Sequence, residues 1–203
     1  MCSRYRLTSN ADIVAEMFGL AAPAALETRP EFSPTNAVSA LRVNEQTGER
    51  EISLFRWGLI PRWAREEMNL FNARAETLLE KPSFRDAFRS RRCLIPADGF
   101  FEWPLIDGKK RKTLIQRQDH LPFAFAGLWE RWQSKADGRM IESCTIITAE
   151  PNAFMRPIHN RMPVILTRDQ HERWLCRDVR SEDLLTALLR PGDWPGMEAV
   201  PAT

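Results

Sequence analysis

Apolar positions along the chain mostly alternate with polar ones or gather in short unbroken runs, and helical spacing shows only in brief stretches. Alternation over residues 37–43, the polar turn Asn44-Glu45-Gln46-Thr47-Gly48 and a return over 51–57 predict a hairpin. Residues 93–96 and 99–103 read as buried strand pieces, 121–132 and 141–149 as longer apolar strands, and 163–166 as one more. Asp107-Gly108 and Asp137-Gly138 mark hairpin turns, because both residue types tolerate a positive φ. Short helices are predicted where caps frame the pattern: 10–18, with Asn10 as cap and Gly19 as stop; 83–91, capped by Ser83; 167–176; and 181–189, with Glu182 and Asp183 in its first turn. Residues 22–35 read as a Pro-rich loop, 61–70 as irregular and 71–76 as extended. Residues 191–203 carry three Pro and two Gly and read as a loose end after a single domain over 1–190. No strand–helix–strand rhythm is visible, so the prediction is an α+β fold of mainly antiparallel sheets with short flanking helices.

Length and composition are consistent with this. At 203 residues, 43% hydrophobic and 28% charged, the chain can build one buried core. No apolar run approaches the ~20 residues of a membrane span, and Met1-Cys2-Ser3-Arg4-Tyr5-Arg6 lacks the apolar stretch of a secretory signal. A cytoplasmic protein with no membrane partner is the expectation. Cys2, Cys93, Cys144 and Cys176 form no CxxC pair, and His120, His159 and His171 show no ligand spacing. Neither a metal nor another cofactor is predicted, and a disulfide scaffold is not expected. The net charge of +2 says little, but 24 of the 29 cations are Arg, whose planar fork suits phosphates and stacks on bases.

Four places could carry chemistry. Removal of Met1 would give Cys2 a free α-amine beside its thiol, with ordinary pKa values of about 7.7–8.0 and about 8.5. Such a 1,2-aminothiol takes up an aldehyde as a Schiff base and then closes a thiazolidine; taken alone, Cys2 reads more readily as an incidental second residue. In Asn72-Ala73-Arg74-Ala75-Glu76, an extended chain would put Asn72, Arg74 and Glu76 on one face, either as a polar cluster or as an Arg–Glu tie between strands. Glu102 lies in the aromatic run Phe100-Phe101-Glu102-Trp103, where desolvation would raise its pKa; an exposed strand face would leave it ordinary. His159 and Arg161 lie between Pro157 and Pro163 in a loop that prolines stiffen, which suits a catalytic or a structural histidine.

Together with Trp57-Gly58-Leu59-Ile60-Pro61, Arg92-Cys93-Leu94-Ile95-Pro96-Ala97-Asp98-Gly99, Ala126-Gly127-Leu128-Trp129 and Ile158-His159-Asn160-Arg161-Met162-Pro163, these segments closely resemble the SRAP family of abasic-site processing proteins, in the same order from Cys2 to about residue 175. The resemblance implies a barrel-like core and a monomer that binds single-stranded DNA. It implies covalent capture of abasic sites by Cys2 during the DNA-damage (SOS) response, at the nucleoid. Glu102 would move protons, Asn72 would hold the chain end or the ring oxygen, and His159 would polarise a sugar hydroxyl. Arg4, Arg74 and Arg161 would meet phosphates, Trp63, Trp103 and Pro34 would shape the DNA path, and Thr148 would lie in its groove. It also implies self-removal of Met1, an autopeptidase activity, and a lyase-type reversal. Two positions depart from the pattern: Ser3 replaces Gly, and Glu31 stands where an Asn is usual, its carboxylate expected to repel phosphate. An amidase or peptidase with Cys2 as N-terminal nucleophile, and a non-covalent single-strand binder, remain as alternatives.

Overall fold

The computed structural model describes residues 2–20, 26–179 and 181–202. The strands, in chain order, are β1 (Tyr5–Leu7), β2 (Arg29–Phe32), β3 (Ala37–Val43), β4 (Arg50–Trp57), β5 (Asn72–Arg74), β6 (Arg92–Ala97), β7 (Gly99–Glu102), β8 (Leu105–Ile106), β9 (Lys109–Lys110), β10 (Thr113–Arg117), β11 (Phe123–Gln133), β12 (Met140–Ala149), β13 (Met162–Pro163), β14 (Ile165–Leu166) and β15 (Met197–Pro201). The helices are α1 (Ala11–Phe18), α2 (Arg85–Ser90), α3 (Arg168–Leu175) and α4 (Glu182–Leu188). Asn10 caps α1 by accepting from the Ile13 N–H, Gly19 ends it at φ 66°, and Thr167 with Gln170 forms a capping box on α3.

The larger sheet closes on itself. β3 pairs with β4, β4 with β12, β12 with β11, β11 with β6, and β6 returns to β3. Closure removes the exposed edges that an open sheet would leave. The wall is tight at Gly127, where a Cβ would lie 2.9 Å from Cys93 Sγ and 3.0 Å from the Thr145 carbonyl oxygen. β5, β13 and β14 extend the barrel from β12 and β11. A second, five-stranded antiparallel sheet runs in the order β15-β10-β7-β1-β2. The chain crosses from barrel to sheet at Asp98, between β6 and β7, and Tyr5 locks the two together: its buried ring stacks on Phe32 at 4.8 Å and meets Trp57 and Phe125 edge-on. The fold is therefore α+β with a closed barrel core, as expected. No described helix is long and apolar enough to cross a membrane.

Four local expectations are corrected. Part of 22–35 lies outside the described residues, but Arg29–Phe32 is a strand rather than a loop; it holds Pro30 because β2 is the sheet's edge, where a missing N–H is harmless. Ser83 does not cap α2, which starts at Arg85 after Phe84 and has no side-chain cap. The extended segment stops at Arg74, and Ala75–Thr77 turn into a 3-10 helix, so Glu76 leaves the face of Asn72 and Arg74. The end of the chain is not loose: β15 pairs along the whole of β10, with Gln116 Nε2 donating to Glu198 Oε1 at 2.8 Å. Its prolines and glycines hide a short edge strand whose first and last members flank the alternation.

Candidate functional site

The site forms where the small sheet faces the extended end of the barrel. β1 lies antiparallel on β7, with Tyr5 opposite Phe100, and the Phe101 N–H donates to the Arg4 carbonyl at 2.9 Å. That pairing carries Cys2, just ahead of β1, to Glu102 at the end of β7. The register is pinned at the other end by Asp98. Its carboxylate accepts from the Thr8 N–H, the Thr8 hydroxyl (2.8 Å), the Ser9 N–H (2.9 Å) and the Ser9 hydroxyl (2.6 Å), while its own N–H donates to the Arg6 carbonyl.

In the chain that still carries Met1, the Cys2 side chain is 1% exposed. Burial pushes its thiol well above the ordinary range, and the negative charge of nearby Glu102 adds to this. Glu102 is 3% exposed, and desolvation raises its carboxyl to about 7. His159 Nε2 lies 3.9 Å from Glu102 Oε2. Burial lowers the imidazole pKa, so both groups are pushed towards their neutral forms and this approach is not a charged pair. The loop that presents His159 is stapled at its base: Asn152 Oδ1 accepts from the Met155 N–H, Asn152 Nδ2 donates to the Gly192 carbonyl, and the His159 N–H donates to Met155.

Asn72 stands on β5, paired with Ile146 of β12. Its Nδ2 donates to the Phe71 and Ile146 carbonyls at 3.0 and 3.4 Å, while its Oδ1 is buried with no hydrogen-bond partner among the described residues. A buried acceptor in that state is costly unless it meets a donor, so Asn72 offers a place for an N–H or O–H group. Cys2, Glu102 and His159 thus come together. Asn72 sits on the barrel side of the same region, one strand from the β13 that follows the histidine loop.

The expected DNA contacts divide. Trp63 and Trp103 are exposed at 54% and 37%, Arg74 is exposed, and Pro34 is half-buried. Trp63 Nε1 donates to the Pro82 carbonyl at 3.4 Å, which sets the ring's direction. Thr148, by contrast, is fully buried in β12, not a surface of a groove. Arg161 is turned inward: its Nη1 and Nη2 each lie 2.9 Å from an oxygen of Glu76, and Nη2 donates to the Thr148 carbonyl at 2.7 Å. Glu76 therefore pairs across to the histidine loop, not along its own segment to Arg74. Glu31 is not a bare carboxylate: Arg4 Nε holds one oxygen at 3.0 Å and Lys112 Nζ the other at 2.8 Å. Sequence reasoning missed Lys112, Asp98 and the true partner of Glu76. The only local signal for any of them was Asp98 directly before a glycine.

The family model "SOS response associated peptidase (SRAP)" matches residues 1–203. The chain belongs to the SRAP family. Among its relatives, abasic site processing protein YoaM of Bacillus subtilis is 42% identical over 98% of this chain and 89% of its own length. Abasic site processing protein HMCES of Xenopus tropicalis is 32% identical over 68% of this chain and 49% of its own. A crystal structure of a protein from Bacteroides thetaiotaomicron is 31% identical, with a TM-score of 0.88 over all of this chain and 92% of that one. Against the SRAP pattern read from the sequence, the departure at Glu31 is absorbed by two cations, and Ser3 is accommodated with its carbonyl accepting from Arg4 Nη1 at 3.1 Å.

Proposed function

We propose that this SRAP chain captures abasic sites in single-stranded DNA as a thiazolidine on Cys2, after Met1 is removed. The observation that supports this best is the meeting of buried Cys2 and Glu102 with the partly exposed His159 where the two sheets face each other. The abasic sugar opens to an aldehyde. The Cys2 amine adds to that carbon, giving a carbinolamine, and Glu102, protonated about half the time near pH 7, gives the proton with which hydroxide leaves as water. The product is an iminium. The thiol, held neutral by burial, then adds to the same carbon as its proton passes to the Glu102 carboxylate. Aldehyde plus aminothiol becomes thiazolidine plus one water, with no oxidant or reductant. Asn72 Oδ1 accepts from the amine or a sugar hydroxyl, and His159 meets the sugar oxygen. Without ring closure the iminium would favour β-elimination and strand scission, so the thiol protects the strand.

Trp63 and Trp103 offer stacking surfaces and Arg74 a cation for the phosphates of an unpaired strand. The same Glu102 and His159 serve hydrolysis of the Met1–Cys2 peptide, in which water adds across the bond and frees methionine. The protein acts as a monomer at damaged DNA in the cytoplasm. The test mixes the mature chain with a single strand bearing one abasic site. A heat-stable adduct, heavier than the sum of protein and DNA less one water by no more than measurement error, is expected. Adduct on neither the abasic strand nor an abasic junction, with intact DNA recovered, overturns the reading. Ammonia release from glutamine by the same preparation would favour the amidase instead, and equal, non-covalent affinity for intact and abasic strands would favour a plain binder.

A further inference from the structure

We propose that the Glu76–Arg161 ion pair is a positioning device for His159: by fixing the Arg161 backbone it keeps imidazole Nδ1 as an acceptor and leaves the ring proton on Nε2, turned towards Glu102. The inference deepens the abasic-site reading and rests on it. Arg161 has the right chemistry for a phosphate, yet its side chain is only 12% exposed and both terminal nitrogens are engaged, in a two-pronged contact with Glu76 and a further bond to the Thr148 carbonyl. A planar fork held on two oxygens is rigid. Both anchors are themselves fixed, because Glu76 follows β5 and Thr148 lies buried in β12, which pairs with β5 on one side and β13 on the other.

The clamp matters because of what the Arg161 backbone does. Its N–H donates to His159 Nδ1 at 2.9 Å. A backbone N–H always carries its hydrogen, so Nδ1 must present a lone pair. The Arg161 carbonyl oxygen also lies 3.2 Å from Nδ1 and would attract a proton there. The N–H is the closer partner and the obligatory donor, and two hydrogens cannot share that gap. A neutral imidazole therefore carries its proton on Nε2. Nε2 lies 3.9 Å from Glu102 Oε2, too far for a direct hydrogen bond but spaced for a substrate oxygen to approach both. Whenever Glu102 is ionised, the opposite tautomer would aim an imidazole lone pair at its carboxylate, two acceptors facing one another. Glu76 and Arg161 touch neither Cys2 nor Glu102; they act through His159.

The experiment labels the histidines of the full chain with ¹⁵N and reads ring tautomers by long-range ¹H–¹⁵N correlation at a pH where His159 is neutral, with His159→Ala identifying its signals. Single-turnover capture of an abasic single strand and thermal melting are measured alongside. The wild type is expected to show bare Nδ1 and protonated Nε2. Glu76→Gln, which keeps the shape but not the charge, is expected to melt cooperatively, to mix the tautomers, and to slow capture about tenfold with its affinity for an intact strand held. Arg161→Lys, which keeps the charge but not the fork, should likewise mix the tautomers and slow capture from the bound state, and decides the matter if Glu76→Gln does not fold. A wild-type ring protonated on Nδ1, variants with the wild-type tautomer, or slowed capture at an unchanged tautomer each overturn the proposal. If the wild type captures no abasic strand at all, the abasic reading fails, while the ring spectra still judge the clamp.

Discussion

The two sheets contribute differently to the site. The five-stranded sheet brings the proposed reacting groups, Cys2 ahead of β1 and Glu102 at the end of β7, on two strands paired directly and pinned by Asp98. The barrel brings the groups that orient: Asn72 on β5, and His159 in a loop held by Asn152 and by the Arg161–Glu76 clamp. In the first case burial shifts the groups' proton affinities strongly, and in the second hydrogen bonds and an ion pair fix their direction. Damage to the small sheet should abolish chemistry, whereas damage on the barrel side should detune it.

The largest expected effect tests that division most harshly. Cys2→Ala should lose the heat-stable adduct entirely while keeping affinity for intact single strands, as read by gel shift beside denaturing electrophoresis. An adduct of unchanged yield would move the nucleophile elsewhere. Glu102→Gln should slow capture on the order of 10²–10⁴-fold. It should also alter stability against pH. A carboxyl raised from about 4.5 to about 7 binds more protons folded than unfolded between those values, so its contribution falls as pH rises through that window, by up to about 3 kcal/mol. Melting temperature across pH 4.5–7 should therefore fall less in Glu102→Gln than in the wild type. The paired acids Glu51 and Glu142 have lowered pKa values and act in the opposite sense, losing their contribution only as the solution turns acid.

Smaller effects sharpen the comparison on the binding surface. Trp63→Ala, in the segment between β4 and β5, and Trp103→Ala, just beyond β7, should each weaken single-strand binding by about 1–3 kcal/mol through lost stacking, with the rate from the bound state nearly kept. If one of them instead changes that rate alone, its ring belongs to the reacting side. Arg74→Ala should give the mildest loss and flatten the salt dependence of binding by about 0.7 in log–log slope, one phosphate's worth, checked by titration at several salt concentrations.

What could be read in the sequence follows from what is local. β3 and β4 were legible because a five-residue turn joins two alternating stretches, and the Asn10 and Thr167 caps because capping is a matter of three residues. The raised pKa of Glu102 was expected from the apolar run around it, and burial at the end of β7 is what raises it. The partner of Glu76 was not. Alternation put it beside Arg74, but a 3-10 turn swung it to Arg161, 85 residues on, and no short-range pattern encodes that. β15 was hidden for the same reason: its pairing with β10 is settled by an apolar edge waiting far upstream, and its own composition reads as loop. The burial of Thr148 likewise comes from its two neighbouring strands and not from its own residue type.

The β10–β15 pairing has a temporal consequence. During translation, residues 5–7, 99–102 and 113–117 leave the ribosome long before 197–201, so the sheet bearing Cys2 waits with an open flank until synthesis reaches residue 201. A nascent chain stalled before that point would leave β10 unpaired on one side in the sheet that holds Cys2.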